Sequence, residues 1–319
     1  MLLEVTGERV GKDSKIVGGS FVKDISETPW IVSVQTTSEG HLCGASLVTS
    51  EYVLTACHCL SLPTSNASEP TVPDDVGPYR FVAGVVNFDD MKNAQIGRAR
   101  RFLVHPKCGE FLNLVFDYAL AEMMEPFIIN ERVHTVKILT RDENLFGSTF
   151  QELLRNPKTE CYVVGWGVTR RGQLGEDNRG HISKSLKKVY MYILPNNHCK
   201  YLFGRHDPGY LKFNFTKYHQ ICAAGRFGNE SDCEGDSGGP VICGTYQVAL
   251  ISYGFQCGTT TPAGYATLDV FLEWFHKEIL PMSSERSKKI VSAYGSPNDH
   301  FILYLVFTSF LLIIYKRES

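Results

Sequence analysis

No Cys-x-x-Cys pair occurs in this 319-residue sequence, although it holds ten cysteines. That absence removes the commonest zinc and redox signatures. A basic surplus is missing too: 32 Lys+Arg stand against 34 Asp+Glu, a formal net charge of −2. Nucleic-acid-binding chains usually carry a clear basic excess, so that class is excluded. Charged residues make up only 21% of the chain, too few for a disordered polymer, and 43% hydrophobic residues suffice for a core. No internal repeat or low-complexity tract appears. The start, Met1-Leu-Leu-Glu-Val-Thr-Gly-Glu-Arg9, lacks the basic-then-apolar pattern of a signal peptide, because acidic residues interrupt any run. Yet an even number of dispersed cysteines suggests disulfides and an oxidising compartment. Either that reading fails or the sequence lacks its true N-terminus.

The other end is apolar. Residues 301–315 carry no charge, are rich in Leu, Ile and Phe, and precede Lys316 and Arg317. As a helix they would span about 22 Å, short of the roughly 30 Å hydrocarbon core, a gap that bilayer thinning can close. The expected role is a membrane anchor with the basic flank in the cytoplasm. A lipid-anchor signal after Ser292, Ala293, Gly295 and Ser296 is the competitor. Residues 283–300 turn polar, as in a linker.

Between the ends, short β-branched and aromatic runs alternate with Gly, Pro, Asn and Asp. Residues 30–35, 45–49, 52–55, 79–86, 162–166, 188–194, 241–242, 248–253 and 264–267 are expected strands. One helix is expected over 269–280, with Asp269 as N-cap and Phe271, Trp274, Phe275 and Ile279 on one face. Many strands with one late helix indicate an all-β sandwich or barrel pair. Residues 61–78 and 167–185 read as surface loops.

The chemistry concentrates in Glu234-Gly-Asp-Ser-Gly-Gly-Pro240. A serine between glycines has backbone that turns sharply and admits a substrate carbonyl closely. Such a turn can also aim amide N–H groups at a developing oxyanion. Gly-Asp-Ser-Gly also occurs in ordinary turns, and serine alone is a poor nucleophile, so a base and an orienting acid are required. Leu54-Thr-Ala-Cys-His58-Cys59 supplies a histidine at a strand end, and Phe116-Asp117-Tyr-Ala-Leu-Ala121 an aspartate before an apolar segment.

With Ile16-Val-Gly-Gly19 and Cys161-Tyr-Val-Val-Gly-Trp-Gly167 added, the chain resembles the trypsin/chymotrypsin family of serine endopeptidases over about residues 16–281. The resemblance implies two antiparallel six-stranded β-barrels, about 16–138 and 139–281, with the active site between them and a C-terminal helix. It makes His58 the general base, Asp117 the group that fixes its tautomer, and Ser237 the nucleophile. The N–H groups of Gly235 and Ser237 would form the oxyanion hole. Cleavage after Lys15 would free the Ile16 amine to pair with a buried Asp236, making residues 1–15 the remnant of an activation peptide.

The family pattern pairs Cys43 with Cys59, Cys161 with Cys243, Cys199 with Cys222, and Cys233 with Cys257. Cys57 stands where the family usually has alanine; it and Cys108 form either a fifth bridge or two free thiols. In the specificity pocket the resemblance places Ser231 at the floor, Asp232 beside it, Gly254 and Ala263 on the walls, Glu234 at the entrance, and Ser252 on the strand that pairs with substrate backbone. An unpaired Asp232 carboxylate pointing into the pocket favours Lys or Arg at the cleavage site; pointing to solvent, it leaves the serine floor and the Ala263 methyl to favour a large apolar or aromatic residue. The basic preference is the expectation.

No metal or other cofactor is expected; the loop after Gly84 lacks the glutamate spacing of calcium-binding relatives. Asn66, Asn214 and Asn229 head glycosylation triplets. The implied partners are a protein or peptide substrate, an activating trypsin-like protease and protein inhibitors, with membrane contact through 301–315. A catalytically silent homologue acting as a binding or regulatory module is the alternative. With eight cysteines in four expected bridges, the expected location is extracellular, and the N-terminus is then incomplete.

Overall fold

The computed structural model describes residues 19–61, 71–109, 115–168, 182–227 and 230–282. Lys15, Ile16, Asn66, Asn229, the polar stretch and the apolar stretch 301–315 lie outside them. Among the described residues no helix is long and apolar enough to cross a membrane. Asn214, the described glycosylation triplet, is exposed.

Runs of Val, Ile, Leu and Tyr bounded by turn residues become strands, as their stiff χ1 and pleated packing favour. The first set is Ser20–Phe21 (β1), Ile31–Thr36 (β2), Gly40–Leu47 (β3), Tyr52–Thr55 (β4), Tyr79–Ala83 (β5), Gln95–Gly97 (β6), Ala99–Val104 (β7) and Ala119–Met123 (β8). The second is Cys161–Gly165 (β9), Lys187–Leu194 (β10), Gln220–Gly225 (β11), Pro240–Cys243 (β12), Tyr246–Gly254 (β13) and Ala263–Thr267 (β14). All ladders are antiparallel. One sheet runs β6-β5-β2-β3-β4-β8-β7 and curls without a ladder between its end strands. The other runs β1-β10-β11-β14-β13-β12-β9, and a β9–β10 ladder closes six of its strands into a barrel. The expected all-β, two-barrel architecture is therefore present, with the first barrel a curled half-barrel.

Helices Phe146–Arg155 (α1) and Asn196–Gly204 (α2) were not expected from the sequence. The expected late helix begins one residue early, as Leu268–Trp274 (α3). Asp269 consequently sits in its first turn rather than at the N-cap, its carboxylate accepting from His219 Nδ1 at 2.6 Å and Thr267 Oγ1 at 2.7 Å. The chain from Glu273 onward is a second unit, described as far as residue 282. There the helix widens into a π-helical turn, Phe275–Ile279.

The two sheets share a core. Ile31 and Val82 from one and Val164 and Ile242 from the other cluster with the buried Trp30 and Trp166. A separate aromatic cluster (Phe203, Tyr210, Phe213, Phe215) packs around Cys199 and Cys222. All four family disulfides are present, and a fifth joins Cys57 to Cys108. Each bridge restricts the unfolded chain and typically contributes about 2–4 kcal/mol.

One side chain just after Asp117 reaches across to the opposite sheet. Tyr118, 1% exposed, donates its hydroxyl to the Thr267 carbonyl at 2.5 Å. Burial, with the charges of Asp269 and Asp117 added, raises its phenol well above the usual value, so it remains a donor. Tyr118→Phe strands a buried acceptor and should lower the unfolding free energy by about 1–3 kcal/mol. Urea denaturation with disulfides intact measures this; an unchanged midpoint would show that Thr267 has another donor.

Candidate active site

His58 is the middle residue of a single turn, Cys57–Cys59, that follows β4. Both neighbours are bridged: Cys59 to Cys43 on β3, and Cys57 to Cys108 in the segment after β7. The turn is therefore held covalently on each side of the imidazole. Asp117 follows Phe116, whose φ of 56° is unusual for a side chain of that bulk. The Phe116 ring stacks on His105 at 5.1 Å, which holds this kink and turns Asp117 inward.

Asp117 is 2% exposed. It accepts from His58 Nδ1 at 2.8 Å, from the His58 backbone N–H at 3.1 Å and from Ser252 Oγ at 2.6 Å. Burial pushes this carboxyl upward, but the charge and hydrogen bonds of His58 and the Ser252 bond outweigh it, leaving the pKa lowered. For His58 the same balance runs the other way. Burial disfavours its protonated form, while the charge and hydrogen bond of Asp117 raise the imidazole above its ordinary value. A buried carboxylate facing Nδ1 requires the proton there, so neutral His58 carries its lone pair on Nε2. The side chain of His58 is 43% exposed.

Glycine contacts bring the Ser237 turn to this histidine. A Cβ on Gly238 (φ 76°) would lie 2.0 Å from Thr55 Oγ1 and 2.6 Å from Ala56 N, at the end of β4. A Cβ on Gly44 would lie 2.9 Å from Gly239 Cα. The Gly44 N–H donates to the Ser237 carbonyl at 2.9 Å, and the Gly238 N–H to Ile251 at 2.7 Å. Cys59 Sγ lies 3.7 Å from the Ser237 carbonyl oxygen, a packing contact because a bridged sulfur has no proton. His58, Asp117 and Ser237 are thus gathered from three separate stretches of sequence.

The Glu234 carbonyl accepts from the Val168 N–H at 2.8 Å. In a trans peptide the N–H points opposite the carbonyl, so the Gly235 N–H is turned away from Val168. Gly235 itself has φ 92°, open to glycine alone, and its carbonyl accepts from His41 Nε2 at 2.9 Å. His41 begins a directed chain of polar groups that the sequence did not disclose. Ser33 Oγ donates to His41 Nδ1 at 2.7 Å, Gln35 Nε2 to Ser33 Oγ at 3.0 Å, and Arg80 Nε to Gln35 Oε1 at 2.9 Å. Burial lowers the His41 pKa to about 4, the bond to Gly235 opposing, so the ring is neutral and this donor order is the consistent one. Polar residues at alternate positions of an otherwise apolar β2 were the available signal.

Asp236 lies in a cradle of glycines. A Cβ on Gly165 would meet its Oδ1 at 2.0 Å, and one on Gly167 its Oδ2 at 2.3 Å. Its carboxylate accepts from the Gly167 N–H at 2.7 Å and the Cys233 N–H at 2.9 Å. Burial raises its pKa to about 7 despite these bonds. In the pocket region, Ser231 Oγ accepts from the Gly258 N–H at 2.7 Å, and Asp232 Oδ1 from Tyr265 OH at 2.5 Å. Both are 8% exposed, so Asp232 does not point to solvent; burial raises its carboxyl. Gly254 and Ala263 are direct cross-strand partners. β12 pairs with β13 only as far as Leu250, so among the described residues no ladder covers that edge of the segment from Ser252 to Gly254. Cys43, His58 and Cys59 offer ligand atoms within 4.8 Å of one another, but both sulfurs are consumed in a disulfide.

The family profile described as Trypsin matches residues 16–275. Testisin of Homo sapiens is 28% identical over 274 residues, covering 83% of this chain and 78% of that protein. Trypsin 5G1 of Aedes aegypti is 26% identical over 261 residues, covering 82% of this chain and 83% of that protein.

The two perturbed groups behind the Ser237 turn give opposite pH signatures. His41, with its pKa lowered to about 4, contributes stability that is complete above 6.5 and lost as pH falls through 4. Asp236, raised to about 7, contributes stability that is complete below 3.8 and lost as pH rises through 7. Between about pH 4.5 and 6.5 the two slopes oppose each other. Urea unfolding over that window should show stability falling with pH in His41→Phe relative to the parent, and rising more steeply in Asp236→Asn. Parallel curves for all three proteins would contradict the assignment.

Proposed function

The chain belongs to the trypsin family, and from that membership we propose that it is a serine endopeptidase acting through His58, Asp117 and Ser237. The observation that carries this reading is the Asp117–His58 pair at 2.8 Å, which leaves a basic Nε2 beside the Ser237 turn. In the proposed reaction Ser237 Oγ attacks the scissile carbonyl carbon while its proton passes to His58 Nε2. The carbonyl oxygen becomes an oxyanion received by the N–H groups of Gly235 and Ser237. Collapse expels the amine, which takes the proton from His58, and leaves an acyl ester on Ser237. Water, deprotonated by the same imidazole, then releases the acid. Asp117 keeps the tautomer and stabilises the imidazolium. That edge of the segment from Ser252 to Gly254 suits substrate backbone, added as an extra strand.

Activation is assigned to cleavage after Lys15. From Gly19, residues 16–18 reach at most about 10 Å, and a Cβ on Gly19 would touch the Lys188 carbonyl at 2.5 Å. Gly19 thus starts beside β10, the strand paired with the cradle residue Gly165. The preference at the cleavage site is read as basic, supported by an Asp232 carboxyl held inside the fold beside Ser231. Five disulfides support an extracellular location. The apolar stretch 301–315 supports attachment to a membrane, and protein inhibitors and an activating trypsin-like protease are the other expected partners.

After cleavage at Lys15, a fluorophosphonate should label Ser237, and Ser237→Ala should abolish labelling. Asp117→Asn should lower kcat by roughly four orders of magnitude, since it favours the wrong tautomer. A cleaved, folded chain that never labels would be a silent binding relative instead. Peptide profiling of Asp232→Ser should show Lys and Arg substrates losing about tenfold or more relative to aromatic ones. An unchanged profile would refute the basic preference.

A further inference from the structure

The residues on either side of Asp117 are both anchored, and both anchors lead to one further carboxylate. Before it, Phe116 holds φ 56°, and among the described residues one other non-glycine residue has positive φ, His219 at 52°. The two meet: their ring centroids lie 6.2 Å apart, while His105 stacks on Phe116 at 5.1 Å. The Lys107 ammonium also reaches the Phe116 ring, 5.4 Å from its centroid. A bulky residue keeps such a backbone only where its surroundings over-determine it. After Asp117, Tyr118 donates its hydroxyl to the Thr267 carbonyl. His219 and Thr267 are in turn joined through Asp269. His219 Nδ1 donates to Asp269 Oδ2 at 2.6 Å, and Thr267 Oγ1 to Asp269 Oδ1 at 2.7 Å. The Thr267 N–H donates to the His219 carbonyl at 2.9 Å, just beyond the Gln220–Ala266 pair of the β11–β14 ladder. Burial raises the Asp269 carboxyl, but the bonds from His219 and Thr267 and the His219 charge outweigh it, so it is ionised and accepts both donors.

We propose that Asp269 is a positioning residue for Asp117: through His219 it braces the Phe116 ring, and through Thr267 it braces the anchor of Tyr118. The carboxylate that faces His58 is thereby clamped on both sides of its own backbone. This deepens the serine endopeptidase reading above and rests on it. The demand on geometry is strict, because Asp117 has to meet His58 Nδ1 at 2.8 Å. A misplacement of about 1 Å in such a constellation can cost two orders of magnitude in rate. Phe116 is where drift would begin, since its backbone is held by ring contacts. His105 backs it from the segment after β7, and His219 from the turn before β11. A histidine side chain offers that support only in a fixed orientation, and the bond from Nδ1 to Asp269 supplies it. Asp269 acts through position rather than charge: it reaches Asp117 by way of rings and backbone, and either of its oxygens needs only to accept a hydrogen bond.

The test compares full-length chains cleaved after Lys15: the parent, Asp269→Ala, Asp269→Asn and His219→Ala. Two quantities are read, the fluorophosphonate labelling rate and the His58 pKa from an NMR titration of its imidazole, assigned through His58→Ala. Thermal unfolding checks the fold. Asp117 raises the His58 pKa, so a carboxylate that drifts away leaves it lower. Asp269→Ala should slow labelling by about tenfold or more and lower the His58 pKa by about half a unit or more. His219→Ala, which releases the Phe116 side alone, should move both in the same direction by less. Asparagine can still accept from His219 and bond the Thr267 hydroxyl, so Asp269→Asn should label within about threefold of the parent. An Asp269→Ala chain that keeps the parent's rate and His58 pKa overturns the proposal. So does one that loses only thermal stability, which marks a merely structural role. Asp269→Asn falling as far as Asp269→Ala also overturns it, since charge rather than position then matters. Should Asp269→Ala fail to fold, His219→Ala decides on the same two readings. A parent that never labels, but whose His58 pKa falls in Asp269→Ala, removes the endopeptidase reading and leaves the clamp on Asp117 standing.

Discussion

Taking a carboxylate out of water demands compensation, and Asp117 receives it from three donors that come from both sheets. The His58 ring and backbone reach it from the turn after β4, and the Ser252 hydroxyl from β13 of the opposite sheet. Because each donor is local and fixed, the charge is stabilised permanently. Much of the surrounding construction serves this arrangement: the stacked Phe116 kink that turns the carboxylate inward, and the Tyr118 hydroxyl that ties the next residue to Thr267.

Asp236 is the contrasting case. It is as deeply buried, yet among the described residues its carboxylate receives two backbone N–H bonds and a more distant positive charge, and burial raises its pKa to about 7. An incompletely compensated charge can be driven either way by adding or removing one cation, whereas a fully compensated one cannot. That difference separates a group suited to fixed positioning from one suited to switching. The glycine cradle is what admits this carboxylate, because side chains at Gly165 and Gly167 would occupy the space it fills.

Residues whose chemistry demands a local sequence context were legible before the fold was known. The glycines flanking Ser237 and Asp236 are required by positive φ at Gly235 and Gly238, so they mark the turn in the sequence itself. The histidine at the end of β4 and the aspartate before β8 were legible for the same reason, each riding on an apolar strand. Strands β2, β4, β5, β10 and β14 announced themselves through β-branched and aromatic runs. β7 did not, because Arg100 and Arg101 interrupt it, and β11 did not, because it is built from Cys and Ala, which carry little β preference. Helix α1 was hidden by a short apolar stripe, Phe146 and Phe150, within a polar segment. The Arg80–Gln35–Ser33–His41 chain was illegible for a deeper reason. Its members come from three strands, and nothing short of the β2–β3 and β2–β5 pairings brings them into line.

The cysteines connect compartment to chemistry. Ligand atoms of Cys43, His58 and Cys59 lie within 4.8 Å of one another. In a reduced chain this would be an imidazole with two thiols, groups that titrate near neutrality, bind soft metals and compete for the histidine lone pair. Oxidation removes both protons and both charges. The imidazole then answers to Asp117 alone, the group that raises its basicity and fixes its tautomer. The second bridge, Cys57 to Cys108, fixes the other flank of the same turn without adding any charge. Four sulfur atoms in disulfides therefore do what four thiols could not: they hold the His58 imidazole rigidly while leaving its protonation to one carboxylate. An oxidising environment is, on this argument, a condition for the electrostatics of His58 as much as for the stability of the fold.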